Sequence, residues 1–379
     1  MKTVLSFIDW YLPGYRAGGV LKAFANQVAH FEGTIQFKII TRNTDYCETK
    51  PYEGVPSDTW VRRSPNSEVF YASKTSFGLF RNMVKTLDFD AVYIHGVYSF
   101  WYSILPVLLT RFLRNKRVVV SAHGMLGQHS LSVKSSKKEL FLKAASLLGL
   151  YKNVIFHAAN TAEADDVRKA IGSKAQIMVA EELPMKMELA DWKPRLKNKG
   201  ELSLVSVARI SPEKNTKYAL EILLHCKQGL ISYDIFGPVY DENYWNECLD
   251  VIKKMPANVT VTYKGSLQGD QVLDTLSNYH CMFMPTNGEN FGHTILESFM
   301  SSTPVIISQN TPWRNLPAQN AGWDLALDKP ADFVETIQLV LNANQDEYNK
   351  TSEGALMFAK AFMSDTSILE QNKRLFYHE

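Results

Sequence analysis

The sequence is poor in cysteine and contains no long apolar run, and these absences exclude several classes of protein. Four cysteines in 379 residues are too scattered for a disulfide framework or a zinc knuckle, and they indicate a reducing, cytoplasmic compartment. No uninterrupted apolar run approaches the ~20 residues that a membrane-spanning helix needs. The apolar stretch at the start of the chain ends at Asp9, too short for the hydrophobic region of a signal peptide, and predicts a buried strand instead.

Neither sign of charge dominates the chain as a whole. The 41 Lys and Arg residues against 39 Asp and Glu residues give a net charge of +2, which argues against a nucleic-acid partner. A content of 45% hydrophobic and 21% charged residues excludes a disordered or fibrous chain. The charge is nevertheless uneven, because residues 1–185 carry 23 basic and 15 acidic residues, a net of +8. The remainder carries 18 and 24, a net of −6.

Short apolar or β-branched runs alternate with longer amphipathic stretches along almost the whole chain. This alternation is typical of parallel sheets covered by helices on both faces, so we predict an α/β fold. It weakens over Glu181–Gly200, which is polar and contains Pro184 and Pro194, and we place a domain boundary there. The predicted strands include 3–8, 35–41, 91–95, 117–121, 154–157, 202–207, 232–236, 259–263, 281–285 and 304–308.

The most informative stretch is 279–297, which predicts a strand, a loop and a helix. The helix begins near Gly292, so its first turns offer backbone N–H groups and the positive end of the helix dipole, a suitable site for an anion. Glu289 lies in the loop and Glu297 lies inside the helix. One interpretation is that both carboxylates face one ligand, from different positions along the helix axis. The alternative is that Glu289 is an acid on the loop surface and Glu297 is an ordinary helix residue.

This stretch resembles the retaining glycosyltransferases of the GT-B group often called family 4, or glycosyl transferases group 1. Their motif is a Glu, seven residues and a second Glu, with Phe-Gly soon after the first; here the acids are Glu289 and Glu297, and Ser302–Ser308 is similar too. The resemblance implies a GT-B fold, with two Rossmann-like domains facing each other across a cleft and C-terminal helices crossing back to the first domain. The expected domains are an acceptor-side domain at 1–185, a donor-binding domain at 186–362 and a C-terminal helix at 363–379.

Two further segments agree with this resemblance. Residues 205–215 resemble the family's phosphate clamp, in which Arg209 and Lys214 would stabilise the charge on the departing diphosphate. The alternative is a surface ion pair between Arg209 and Glu213. Residues 13–20 form a glycine-rich loop after the first strand, and the resemblance implies that Gly18 and Gly19 approach the donor phosphates.

One histidine and one acidic pair need separate interpretation. His123 ends a predicted strand, where similar enzymes have a His that reaches the donor sugar; the alternative is a structural role. Asp88 and Asp90 match the Asp-x-Asp metal motif of many glycosyltransferases, but they precede a strand and would lie at the end away from the cleft. The resemblance implies metal independence, so we assign no metal and no cofactor.

The chain departs from the family at 179–184, where Glu181 and Glu182 replace a neutral turn. One alternative to a transferase is a GT-B nucleotide-sugar epimerase or hydrolase, for which Glu181 and Glu182 would supply the extra acids near the sugar. A second alternative, from another class, is a non-catalytic nucleotide-sugar-binding subunit.

The resemblance implies transfer of a sugar, with retention, from a nucleotide sugar to a hydroxyl of a glycan or lipid-linked acceptor in surface polysaccharide or glycoconjugate biosynthesis. UDP is favoured as the nucleotide because it is frequent in the family. The implied catalytic residues are Glu289, His123, Arg209 and Lys214. The implied donor-binding residues are Gly18, Gly19, Arg209, Lys214, Asn290, Phe291, Gly292, His293, Thr294, Ile295 and Glu297.

The basic excess of the first half is concentrated in Arg111–Lys152, with nine Lys or Arg residues and one acid. The segment contains a helical pattern with apolar positions at Leu140, Ala144, Leu147, Leu148 and Tyr151. This pattern is typical either of a core-packed helix with a solvated face or of a surface for an anionic lipid or acceptor. We therefore expect a cytoplasmic protein, with attachment to the inner face of the cytoplasmic membrane as the open alternative.

Overall fold

The computed structural model describes residues 1–113, 115–127 and 135–377. The chain divides into two compact units: the first contains Met1–Lys186 with Thr366–Glu379, and the second contains Met187–Asp365. Within the basic segment, Arg114 and Lys134 lie outside the described residues, as do the last two residues of the predicted C-terminal segment.

The first unit is built on a largely parallel sheet. Its strands are β1 (Lys2–Phe7), β2 (Ile35–Arg42), β3 (Trp60–Ser64), β4 (Ser67–Ala72), β5 (Ala91–His95), β6 (Arg117–Ser121), β7 (Ile155–Ala158) and β8 (Gln176–Val179). Among the described residues the order is β3-β4-β2-β1-β5-β6-β7-β8, and only β3 runs antiparallel to its neighbour. Every residue of β5 is buried, as expected for a central strand with helices on both faces.

The second unit is built on a parallel sheet of its own. Its strands are β9 (Glu201–Val207), β10 (Leu230–Phe236), β11 (Val259–Gly265), β12 (Cys281–Met284), β13 (Val305–Ser308) and β14 (Gly322–Leu325). Their order is β11-β10-β9-β12-β13-β14, and all described neighbours are parallel. Both units are therefore of the α/β class, as predicted from the alternation of strand and helix patterns.

Helices connect the strands of both sheets. Those of the first unit are α1 (Gly19–His30), α2 (Phe77–Thr86), a π-helical turn (Phe100–Ile104) that leads into α3 (Leu105–Thr110), α4 (Ser135–Leu147) and α5 (Thr161–Ile171). Those of the second unit are α6 (Thr216–Leu223), α7 (Glu242–Ile252), α8 (Val272–Leu276), α9 (His293–Met300), α10 (Pro330–Asn342) and α11 (Gln345–Met363). The last helix, α12 (Thr366–Arg374), belongs to the first unit. Of the helices in the described ranges, none is long and apolar enough to cross a membrane.

The chain end after α11 packs into the core of the first unit. Gln27 Nε2 on α1 donates a hydrogen bond to Asn372 Oδ1 on α12 at 2.9 Å, and both side chains are buried. Beyond α12, the Phe376 ring contacts Phe37 and Tyr93 edge-on. The C-terminal residues thus complete the apolar core on one face of the first sheet.

Each sheet has one point at which the strand order reverses. In the first unit the chain proceeds outward from β1 in one direction and outward from β5 in the other. In the second unit the same reversal lies between β9 and β12. Open parallel sheets bind ligands beyond the carboxyl ends of the strands at such reversal points. The loops that follow β1, β5, β9 and β12 are therefore the first places to look for functional side chains.

Candidate functional site

The loops that follow β9 and β12 bring together two residues that lie far apart in the sequence. Lys214 Nζ donates a hydrogen bond to Glu289 Oε1 at 2.6 Å. The side chains are only 14% and 10% exposed. A charged hydrogen bond that is largely shielded from water is strong, and it holds the ammonium and carboxylate groups at the reversal point of the second sheet.

The second cation of the predicted clamp has a more exposed partner. Arg209 Nη2 donates to Glu213 Oε2 at 3.2 Å, and roughly half of each side chain is exposed. The other oxygen of Glu213 lies 4.0 Å from Lys214 Nζ. The ion pair between Arg209 and Glu213 is therefore present, and the same carboxylate lies beside Lys214. The phosphate-clamp role of Arg209 stays a prediction. Exposed ion pairs of this kind contribute about 0.2–1 kcal/mol, so Arg209 can exchange Glu213 for another anion at little cost.

Asn287 connects the two loops through its backbone and its side chain. Its N–H donates to Glu213 O at 2.9 Å, and its Nδ2 donates to Pro212 O at 2.8 Å. Asn310, which follows β13, donates from Nδ2 to Asn287 O at 3.1 Å and accepts the Glu289 N–H on its own carbonyl at 3.0 Å. The sequence marks Asn287 only as a loop former, because its partners lie tens of residues away.

A glycine and a tryptophan shape the start of α9. Gly292 has a φ of 82°, and a Cβ at this position would lie 2.9 Å from Ile295 Cδ1 and 3.3 Å from Trp313 Nε1. Trp313 Nε1 donates to Phe291 O at 2.6 Å, which fixes the chain just before the helix. The left-handed backbone angle at position 292 favours glycine, and a Cβ there would crowd the side chains of Ile295 and Trp313.

The remaining predicted donor-binding residues of this region differ in exposure. His293, Ile295 and Glu297 are buried, whereas Asn290 and Thr294 are partly exposed. The Ile295 N–H donates to Gly292 O at 2.9 Å, as in the first turn of a helix. The structure thus gathers Arg209, Lys214 and the segment 289–297 in the second unit.

The predicted glycine loop belongs to the first unit and is bound by an acid that the sequence analysis did not single out. The N–H groups of Tyr15 and Arg16 donate to Asp45 Oδ2 at 3.0 and 3.3 Å, and Arg16 forms an ion pair with Glu48. Gly18 has a φ of 75° and precedes α1, whose first residue is the exposed Gly19. Gly14, the third glycine of the loop, is buried, whereas Gly18 is partly exposed and Gly19 is exposed.

His123 contacts other side chains of the first unit. Its Nε2 lies 2.9 Å from His95 Nδ1, and its Nδ1 lies 3.9 Å from a carboxylate oxygen of Glu182. The side chain is only 5% exposed, and its φ is 48°. Burial, with His123 and His157 nearby, holds the pKa of His95 well below its usual range. The two acids that replace the family's turn therefore differ: Glu182 is buried beside His123, and Glu181 is exposed.

A further histidine and an acid support the strand ends around His123. His157 Nε2 donates to Ala180 O at 2.8 Å, so its Nδ1 accepts from Tyr93 Oη at 2.7 Å. Burial lowers the pKa of His157 to about 4. Glu163 accepts the N–H groups of Gly124 and Ala159 at 2.6 and 2.7 Å, and burial raises its pKa despite these bonds.

The Asp-x-Asp motif lies at the opposite edge of the first sheet. Asp90 Oδ2 accepts the Thr3 N–H at 2.8 Å, and the Asp90 N–H donates to Thr3 O at 2.8 Å, at the amino ends of β1 and β5. Across the described ranges, no group of three or more His, Cys, Asp or Glu side chains is placed to hold a metal ion.

Comparison with known proteins relates this arrangement to one family. Residues 190–356 match the family described as Glycosyl transferases group 1. No curated protein sequence matches the chain. Among solved structures, sucrose-phosphate synthase from Thermosynechococcus elongatus superimposes with a TM-score of 0.72 at 15% identity, covering 99% of this chain and 97% of that one.

Two further solved structures have similar scores. WaaG, a glycosyltransferase involved in lipopolysaccharide biosynthesis, gives a TM-score of 0.66 at 12% identity and covers 100% of both chains. Anabaena HepE in complex with UDP and glucose gives 0.65 at 12% identity, covering 99% of this chain and 98% of that one. The resemblance to glycosyl transferases group 1 is confirmed for residues 190–356, which include Arg209, Lys214, Glu289 and Glu297. The expected GT-B fold is also confirmed.

Proposed function

We propose that the protein is a retaining glycosyltransferase that transfers a sugar from a UDP-sugar to a hydroxyl of a glycan or lipid-linked acceptor. The observation that carries this proposal is the shielded Lys214–Glu289 pair, which lies at the reversal point of the second sheet within the segment that matches group 1. The choice of UDP is supported by HepE, a structure of the same fold that was solved with UDP and glucose.

In the proposed mechanism, cations and backbone N–H groups hold the diphosphate. Arg209 and Lys214 stabilise the negative charge that develops on the leaving phosphate, and N–H groups at the start of α9 contribute the helix dipole. The bond between the sugar's anomeric carbon and the phosphate oxygen breaks while the acceptor oxygen bonds to the same face. The acceptor's proton passes to the leaving phosphate oxygen, so no protein base is required.

The two glutamates have separate proposed roles. Glu289 binds hydroxyl groups of the transferred sugar and stabilises the positive charge that develops at the anomeric carbon. Glu297 binds the ribose hydroxyls of the nucleotide. When the donor binds, Lys214 would contact both the diphosphate and Glu289. It would thereby hold the Glu289 carboxylate next to the bond that breaks.

Metal independence is part of the proposal, because Arg209, Lys214 and the start of α9 supply the positive charge. We expect full activity in excess EDTA. Loss of activity on chelation, restored by Mn²⁺, would contradict this and direct attention back to Asp88 and Asp90.

Product analysis tests the reaction class directly. The protein is mixed with individual UDP-sugars and candidate acceptors, and the expected product is a glycosylated acceptor together with UDP. An altered free or nucleotide-linked sugar would indicate an epimerase or hydrolase, and binding without any product would indicate a non-catalytic subunit. The Lys214→Ala variant is the control, since it should abolish product formation from the same mixture.

We further propose that the protein is cytoplasmic and attaches to an anionic membrane surface through α4 and the turns beside it. Leu140, Leu147 and Leu148 are 70%, 88% and 76% exposed, and Ala144 is exposed with them. Leu142 and Ala145 are buried instead, so the helix has a second apolar face that the fold leaves uncovered. Tyr151 does not belong to this face, because it is partly buried and donates from Oη to Val97 O at 3.3 Å.

The turn before β6 contains a further exposed apolar side chain, Phe112. Its neighbour Arg111 donates from Nη1 to Gly149 O, just after α4, at 2.5 Å. Lys137, Lys143 and Lys152 are exposed in the same segment. An apolar face bordered by lysines is typical of proteins that lie on an anionic bilayer, where each Lys contributes about 1 kcal/mol.

Vesicle sedimentation at low salt tests the membrane proposal. The wild-type protein should bind anionic vesicles, and this binding should weaken as salt is added. A Lys137/Lys138/Lys143→Glu variant should lose most of the binding. A Lys253/Lys254→Glu variant changes charge in the second unit and should bind like the wild type. No binding of the wild type to anionic vesicles would refute the membrane proposal and favour a soluble acceptor.

A further inference from the structure

The first sheet has a reversal point of its own, and polar side chains from three adjacent strands meet there. Asp9 follows β1, Arg42 ends β2, and Ser99 follows β5. The sequence analysis assigned a function to none of the three. Because the strand order reverses between β1 and β5, their carboxyl ends border the crevice in which such sheets bind ligands.

One oxygen of Asp9 is fully used and the other is not. Asp9 Oδ1 accepts hydrogen bonds from Arg42 Nε at 3.1 Å, Arg42 Nη2 at 2.9 Å and Ser99 Oγ at 2.9 Å. Within the described part of the chain no donor bonds to Oδ2, and the side chain is 16% exposed. The neighbours therefore fix the carboxylate in one orientation and leave one oxygen for a ligand.

The chemistry of Oδ2 limits the kind of group that it can bind. A carboxylate oxygen accepts hydrogen bonds, so the ligand atom beside it must be a donor. Arg42 already balances the charge of Asp9, which favours a neutral donor such as a hydroxyl over a cation. The Asp9 side chain is only 16% exposed, and this burial raises the pKa of Asp9 in spite of Arg42.

Aromatic rings surround the same pair of charges. The guanidinium of Arg42 lies 5.5 Å from the Trp10 ring and 5.0 Å from the Tyr102 ring, and Trp10 contacts Tyr46 edge-on at 4.9 Å. Tyr102 Oη is buried and has no hydrogen-bond partner in the described residues. Rings around a few oriented polar groups are the usual composition of a small-molecule site.

We infer that Asp9 binds the acceptor of the transfer, with its Oδ2 accepting a hydrogen bond from a hydroxyl of a sugar or polyol at the ends of β1 and β5. The inference rests on the proposed function and on the expected acceptor-side role of the first unit, and it adds to them the residue that would select the acceptor hydroxyl. It also excludes an ionised phosphate or carboxylate oxygen of the acceptor from this position, since such an oxygen has no hydrogen to donate to Oδ2.

The test compares two Asp→Asn variants at opposite edges of the same strands. In Asp9→Asn, the hydrogen-bond donors of Arg42 and Ser99 keep the amide oxygen at the position of Oδ1. The amide NH₂ group then occupies the position of Oδ2, where a hydrogen-bond donor replaces an acceptor. Asp90→Asn is the matched control, because Asp90 accepts a backbone N–H at the amino ends of β1 and β5. UDP release from the donor is measured against a panel of methyl glycosides as acceptors, and UDP affinity is measured by titration.

We expect Asp9→Asn to raise the KM for the preferred methyl glycoside about tenfold or more, the usual worth of a hydrogen bond to a charged group, with UDP affinity unchanged. Asp90→Asn should change neither value. Asp9→Glu keeps the charge but displaces the free oxygen, so it should raise the same KM. This variant provides the test if Asp9→Asn fails to fold. An acceptor KM that stays within about twofold of wild type in the Asp9 variants would overturn the inference.

Two results with the wild type separate this inference from the proposed function. Wild-type protein that binds UDP but uses no methyl glycoside of the panel would overturn the assignment of a sugar hydroxyl to Asp9 and leave the donor site in place. Wild-type protein that binds neither UDP nor any UDP-sugar would overturn the proposed function itself, and the acceptor site with it.

Discussion

Removing Lys214 alone should destabilise the protein more than removing Lys214 and Glu289 together. The two charges form a 2.6 Å ion pair, and both side chains are largely buried. In a Lys214→Met variant the stem is retained but the Glu289 carboxylate loses its partner. In the double variant Lys214→Met/Glu289→Gln no unpaired charge remains, so most of the loss should be recovered.

The expected size follows from the burial of the pair. Leaving one partner of a buried ion pair uncompensated costs about 3–5 kcal/mol, and the residual exposure of these side chains reduces this to about 2–3 kcal/mol. The double variant should cost about 1 kcal/mol, so adding Glu289→Gln to Lys214→Met should restore about 1–2 kcal/mol. In a unit of this size, 1 kcal/mol corresponds to about 2–4 °C in the unfolding midpoint.

Thermal unfolding of the full chain measures these differences. The single variant should lower the midpoint by roughly 4–12 °C and the double variant by much less. Lys217→Met is the matched control, because Lys217 forms a 2.8 Å ion pair with Glu247 that is exposed to water, and its removal should barely change the midpoint. Strictly additive losses from Lys214→Met and Glu289→Gln would refute the reasoning, since they would mean that the pair is screened like a surface contact.

The remaining predictions concern the donor site and acid stability. Arg209→Ala should lower turnover about 10²-fold, as for loss of an oxyanion-stabilising group, and near-wild-type turnover would remove it from the clamp. Glu297→Ala should weaken UDP binding in a titration, whereas Glu289→Ala should spare it and depress turnover; equal loss of UDP affinity would refute the division of roles. Since the fold lowers the pKa of His157 to about 4, its contribution to stability is complete above about pH 6.5 and is lost as the pH falls towards 4. A His157→Asn variant should show a flatter loss of midpoint over that range, and an unchanged slope would argue against a neutral, buried His157.

The sequence alone determined the features that depend on neighbouring residues. Apolar runs marked the central strands, and the interval Arg117–Ser121 is the same in prediction and structure. The segment that contains Glu289 and Glu297, with Phe-Gly between them, resembles the family that residues 190–356 match. Edge strands such as β3 (Trp60–Ser64) were not named, because an edge strand is half exposed and carries no continuous apolar run.

Only the tertiary structure decided which distant residues meet. Strand order places the loops after β9 and β12 side by side, so Lys214 contacts Glu289 across 75 positions, and it brings Asp9 next to Ser99 across 90. Periodicity reports contacts within a helix or a strand, and it carries no information on which strands become neighbours. Periodicity likewise identified an apolar stripe on α4 that includes Leu147. It could not predict that this stripe remains exposed, because the exposure depends on which face of α4 the rest of the first unit covers.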